Sequence, residues 1–78
     1  MHKHTALLKR IEISSTIMLG KPVIKGTRLP AALIVEKIAY GETAEEILEQ
    51  YPFLKKDDIN AALFYAAKVM QTEDVYAL

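Results

Sequence analysis

The chain has 78 residues, ten Lys plus Arg against ten Asp plus Glu, and no cysteine. That length allows one small domain, which buries only ~60% of its unfolded surface, so a partner would add stability. The absence of Cys removes a disulfide framework, a thiolate zinc cluster and a Cys nucleophile. The apolar run Pro30 to Val35 is far below the ~20 residues needed to span a bilayer. Residues 1–20 lack a charged start leading into an apolar core and a small-residue cleavage site, so a cytoplasmic protein is expected.

The charge balance conceals an asymmetry. Residues 1–41 hold seven basic and two acidic side chains, a net of +5, whereas residues 42–78 hold three basic and eight acidic, a net of −5. Such a split suits separate surfaces for nucleic acid and for a basic partner, or mutual neutralisation within a fold or a dimer.

Met1 to Thr5 is polar and carries both histidines, and a disordered tail is expected over residues 1–7. Leu8 to Ile13 alternates around Glu12 as a short half-buried strand, and Ile17 to Leu19 reads as a second extended stretch. Gly20-Lys21-Pro22 and Lys25-Gly26-Thr27 are turn signals, so residues 8–29 are expected to form short hairpin strands around a Gly/Pro turn. Residues 30–70 then read as three helices, with Pro30 at the first position of the first and Gly41 closing it. Thr43-Ala44-Glu45-Glu46 is a capping box. Ala44, Ile47, Leu48 and Tyr51 recur at helical spacing, and Pro52 ends that helix. The third helix starts near Lys55, with Asp57 and Asp58 placed to complement its dipole. Its apolar stripe is Ile59, Ala62, Leu63, Ala66, Ala67 and Met70, and residues 71–78 form an acidic tail. The other side of that helix offers Ala61, Phe64, Tyr65 and Val69. Phe64, Tyr65 and Val69 are therefore expected at a partner or dimer interface, the alternative being that the hairpin covers them.

No catalytic constellation is present, and no metal or cofactor is expected. His2 and His4 lack a nearby third ligand, and because both lie in the tail, no Ser or Thr beyond it has a neighbouring His to act as a base. Residues 20–27 differ from a phosphate-binding loop: five residues separate the glycines, Lys25 precedes Gly26, and Pro22 removes an amide. Three helices with a turn between the last two suggest a homeodomain-like arrangement, whose last helix would enter the major groove. Here that helix offers Lys55, Lys56 and Asn60 but also Asp57 and Asp58, which face phosphates unfavourably. Lys21, Lys25 and Arg28 on the turn are the better DNA-binding candidates, with Arg10 in support. Gly20, Pro22, Gly26 and Thr27 are expected to shape the loop.

The string Gly20-Lys21-Pro22-Val23-Ile24-Lys25-Gly26-Thr27-Arg28-Leu29-Pro30 resembles the signature of domain-of-unknown-function family 433. The resemblance continues through Tyr40-Gly41, Thr43 to Leu48, Tyr51-Pro52 and Asp58 to Leu63. It implies a mostly α, three-helix homeodomain-like (helix-turn-helix) bundle preceded by short β-strands. It also implies the antitoxin of a type II toxin–antitoxin pair, which binds operator DNA and occludes a PIN-like nuclease toxin; the homodimer is expected separately, from the small core and the apolar second side of the third helix. Lys55 stands where the family often carries a Thr or Ser cap. A Lys side chain cannot accept an amide hydrogen bond there, an expected loss of about 1 kcal/mol. The alternatives are a stand-alone DNA-binding regulator and a structural dimerisation module with no nucleic-acid role.

Overall fold

A computed structural model describes residues 6–72, the side chain of Thr72 excepted. The expected acidic segment from Glu73 onward and the histidine-bearing start lie outside these residues. Residues 6–8 form a helical turn closed by the amides of Lys9 and Arg10, so the first strand does not begin at Leu8.

Two short strands follow, β1 (Ile11–Glu12) and β2 (Val23–Ile24). They pair antiparallel, Ile11 opposite Ile24 and Glu12 opposite Val23. The Lys25 N–H continues the pairing by donating to the Arg10 carbonyl at 2.7 Å. Between the strands, the extended stretch expected at Ile17 to Leu19 is absent. Met18–Gly20 is instead a single tight turn whose residues have φ of +51°, +58° and +84°. Alternation of apolar residues cannot reveal such a turn, because the left-handed backbone of Met18 and Leu19 has no side-chain signature.

Helix α1 spans Ala31–Ala39. Pro30 caps it rather than entering it: its ψ of 138° is extended, and it forms a bridge with Val23. Proline's fixed φ serves either role, and strand pairing decides between them. The Ala31 amide, an orphan of the first helical turn, donates to the Pro22 carbonyl at 3.0 Å, which ties α1 to the end of β2. At the other end Gly41 adopts φ +98°, its amide donates to Ile38 O, and the Glu42 amide donates to Lys37 O. That pattern is a Schellman motif, and Gly supplies its left-handed residue at little steric cost.

Helix α2 spans Ala44–Gln50 and carries the expected capping box. The Glu46 amide donates to Thr43 Oγ1 at 3.1 Å, while Glu46 Oε1 accepts from the Thr43 amide at 2.8 Å. A side-chain cluster fastens α2 to the end of α1. Lys37 Nζ donates to Gln50 Oε1 at 2.8 Å, Gln50 Nε2 donates to Glu42 Oε1 at 2.6 Å, and Lys37 Nζ lies 3.5 Å from Glu42 Oε2.

Helix α3 runs Lys56–Thr72, two residues beyond the expected end at Met70. The loss expected from Lys55 is offset by the other half of a capping box. Asp58 Oδ2 accepts from the Lys55 amide at 2.8 Å, and the Asp58 amide donates to Lys55 O. The core is the cluster Ile24, Ala31, Ile34, Ile47, Leu54, Ile59 and Ala62, drawn from β2, all three helices and the turn before α3. Helix α3 is buried only over its first half. Ala61 is fully buried together with Ala62, since α1 packs on one side of the helix and β1 on another. Of the expected inward stripe, Ala67 and Met70 are exposed, Met70 to 72%. The periodicity of the helix continues, but the elements that would cover it end sooner.

Candidate functional site

Residues 22–31 fold into a compact unit that presents the basic turn. After β2 the chain reverses at once: the Ile24 amide donates to Leu29 O at 2.9 Å, and the Thr27 amide donates to Ile24 O at 3.0 Å. Thr27 closes the reversal, its hydroxyl donating to Ile24 O at 2.7 Å and accepting from the Leu29 amide at 2.9 Å. Gly26 sits in the turn with φ +82°. A Cβ there would meet open space, so only the backbone conformation opposes a side chain. Gly26→Ala is accordingly expected to lower stability by about 1 kcal/mol, read as a shift of the urea midpoint at unchanged m-value.

Lys25 and Arg28 flank this turn, and both are exposed or half-exposed at its surface. Lys21, also exposed, stands four residues before Lys25, roughly 13 Å away along extended chain. The fold thus groups Lys25 with Arg28 at one end of β2 and leaves Lys21 at the other. None of the three forms an ion pair among the described residues. No Asp or Glu occurs from Ile13 to Val35, so this surface carries three cations without an acidic neighbour in sequence.

Arg10, expected in support of these cations, is engaged elsewhere. Its Nη1 donates to Asp58 Oδ1 at 3.0 Å and its Nη2 lies 3.7 Å from Asp57 Oδ2. Asp58, 7% exposed, therefore serves the Lys55 amide with one oxygen and Arg10 with the other. It holds the start of α3 to the start of β1 and is withdrawn from any phosphate. Lys55, Lys56 and Asn60 are exposed around it, beside the exposed Asp57.

The partner-face residues divide. Phe64 and Tyr65 are half-buried and Val69 is exposed, with Lys68 Nζ 5.4 Å from the Phe64 ring centroid. A different apolar feature lies between α1 and α3: an open groove of about 390 Å³ lined by Ala32, Val35, Glu36, Ala39 and Ala66. The α1 residues follow the i, i+3, i+4, i+7 spacing of one helix face. Sequence reasoning misses it because three alanines carry little apolar signal, and Val35 serves the core cluster as well as the groove. The described residues hold no group of three or more His, Asp or Glu able to bind a metal ion. They also form no helix long and apolar enough to cross a membrane.

Residues 11–66, spanning β1 through the buried half of α3, match the family model described as "Protein of unknown function (DUF433)". The chain belongs to the DUF433 family. It is 38% identical over 53 residues to the uncharacterized protein y4eO of Sinorhizobium fredii (strain NBRC 101917 / NGR234). That alignment covers 68% of this chain and 24% of y4eO, so the DUF433 chain spans about a quarter of the length of this relative. The fold is also similar to the crystal structure of a DUF433 member from Anabaena variabilis ATCC 29413, with a TM-score of 0.76 and 27% identity. The match covers 90% of this chain and 69% of that one. The region matched by the family contains the 22–31 unit, the start of α3 that faces Arg10 and all of α1 and α2, so the hairpin turn belongs to the family's common architecture rather than to an appendage.

Proposed function

We propose that this DUF433 chain is a non-enzymatic binding module of the antitoxin kind, cytoplasmic and dimeric, which contacts DNA through its hairpin and a PIN-like nuclease through its helices. The observation that carries the DNA half is the position of Lys25 and Arg28 on a turn tied down by Thr27, with Lys21 at the other end of β2, in a stretch without acidic residues. Cations held on a rigid turn meet phosphates without first giving up backbone freedom. The helical half supplies the opposite sign, with Glu45, Glu46 and Glu49 exposed on α2. An acidic surface of this kind competes for the basic groove in which a nuclease holds RNA.

Changing Lys21, Lys25 and Arg28 together to Ala is expected to weaken binding to duplex DNA from the upstream region and to reduce the salt slope by about 3, one per phosphate contact. An unaltered slope places the DNA face elsewhere. Co-expression with the adjacent open reading frame tests the other half, since an antitoxin co-purifies with its nuclease. The groove between α1 and α3 supports a second reading, a dimerisation module without DNA, in which truncating Val35 dissolves the dimer while the triple variant changes nothing.

A further inference from the structure

The strongest unexplained feature of the fold is the turn at residues 17–21. Met18 and Leu19 are the non-glycine residues with positive φ among those described, and they are consecutive. A left-handed conformation costs an L-residue roughly 1–2 kcal/mol, so two in succession persist only if their surroundings determine them. They do. The Ile17 amide donates to Ser14 O, the Gly20 amide to Ile17 O and the Lys21 amide to Met18 O, while Ser14 Oγ lies 2.9 Å from Thr16 Oγ1 and accepts from the Thr16 amide. The result is a small self-bonded turn with Leu19 at its apex, 92% exposed. Ile13 and Met18 nearby are also exposed, and Lys21 follows two residues later.

A self-bonded turn that holds a large apolar side chain in water is opposed by both the hydrophobic effect and backbone strain, which points to a contact outside the domain. The shape and charge decide what. A stable protein interface needs about 800 Å² per partner, and Leu19 with the partly exposed Ile13 and Met18 provides a small fraction of that. The surrounding stretch from Ile13 to Val35 carries only positive charge. An apolar side chain projecting from the apex of a cationic surface, with smaller exposed areas of Ile13 and Met18 beside it, matches the way proteins separate stacked bases, where Leu, Ile, Met or Phe inserts into a base step and the cations hold the flanking phosphates.

We propose that Leu19 is an apolar wedge that enters a base step of duplex DNA from the minor-groove side, with Lys21 on the adjacent phosphate. This rests on the DNA reading above and adds to it a deformation of the duplex, favouring easily unstacked pyrimidine–purine steps.

The test uses the full chain and a duplex carrying 2-aminopurine at a central TpA step, titrated by anisotropy and by the fluorescence that rises when the base unstacks. Wild type is expected to bind and raise the fluorescence. Leu19→Asn removes the wedge while placing at that position a residue that accepts the left-handed backbone readily, so the fold is retained. It is expected to lose the fluorescence rise and about tenfold in affinity. Leu19→Met, still apolar and long, is expected to keep both. Binding by wild type without a fluorescence rise, or an Asn variant equal to wild type, overturns the wedge and leaves the DNA reading standing. Absence of any salt-dependent binding by wild type overturns both. Loss of self-association in the Asn variant, with DNA binding unchanged, overturns the wedge and assigns Leu19 to a protein contact instead.

Discussion

Replacing Asp58 by Ala is expected to destabilise the domain by about 2–3 kcal/mol. Two effects combine at one side chain. Oδ2 completes the start of α3 by accepting from the Lys55 amide, and its loss leaves that end with a Lys that cannot cap it. Oδ1 accepts from Arg10 Nη1, a charge-assisted bond between residues 48 apart in sequence, and its loss frees β1 from the helix it packs against. The Arg10 side chain is 36% exposed and re-hydrates when its partner is removed, which keeps the cost below that of a fully buried pair. Urea unfolding measures the total, and a double-mutant cycle with Arg10→Met isolates the pair. Arg10→Met alone is expected to cost about 1 kcal/mol, because Asp58 keeps the Lys55 amide and gains water. An Asp58→Ala loss below about 0.5 kcal/mol is that of an ordinary surface change and would show that the link does not fasten strand to helix.

The second large effect is expected at Ile34. Ile34→Ala truncates a fully buried side chain that the core cluster surrounds with Ile24, Ile47, Leu54 and Ile59. Lost transfer energy and the residual cavity together cost about 3–4 kcal/mol. A domain of this size has roughly 4–12 kcal/mol in all, so the variant loses a large part of its stability and melts about 15–25 °C lower. Val35→Ala, one residue away, is expected to cost about 1–1.5 kcal/mol, since Val35 is half-buried, touching the core cluster on one side and open to the groove on the other. Equal losses at the two positions would mean that the core is not centred on the inner face of α1. The contrast also gives a stable variant with which to test the groove for a partner.

Much of the fold was legible because local chemistry and tertiary contacts agree. Thr43 and Glu46 form a cap from their own spacing, Gly41 ends α1 because a left-handed residue is needed there, and Pro52 stops α2. These signals act within one turn of helix, so the sequence carries them intact. The candidate cations were legible too, as residue types on a turn, but their grouping was not. Lys25 meets Arg28 because the chain reverses at Thr27, whereas Arg10 leaves the set because a carboxylate from the far end of the sequence reaches it.

Length, helical spacing, caps and charge order by themselves pointed to a small, mostly helical domain with a basic hairpin and with acidic charge concentrated on α2. Only the tertiary structure decided how far that division persists. The ten-against-ten balance is met partly inside the fold, where Arg10 pairs with Asp57 and Asp58 and Lys37 with Glu42. It is left open at Lys21, Lys25 and Arg28, which form no ion pair among the described residues. The same holds for the apolar residues. Helical spacing marks Met70 and Ala67 as inward, yet burial depends on what stands opposite, and β1 and α1 cover only the first half of α3. Conversely, nothing in the sequence around Leu19 marks it as an apex, since that depends on backbone angles held by hydrogen bonds that the carbonyls of Ser14, Ile17 and Met18 accept. A pattern records which side chains prefer to be buried or charged, and only the packed chain assigns each a neighbour.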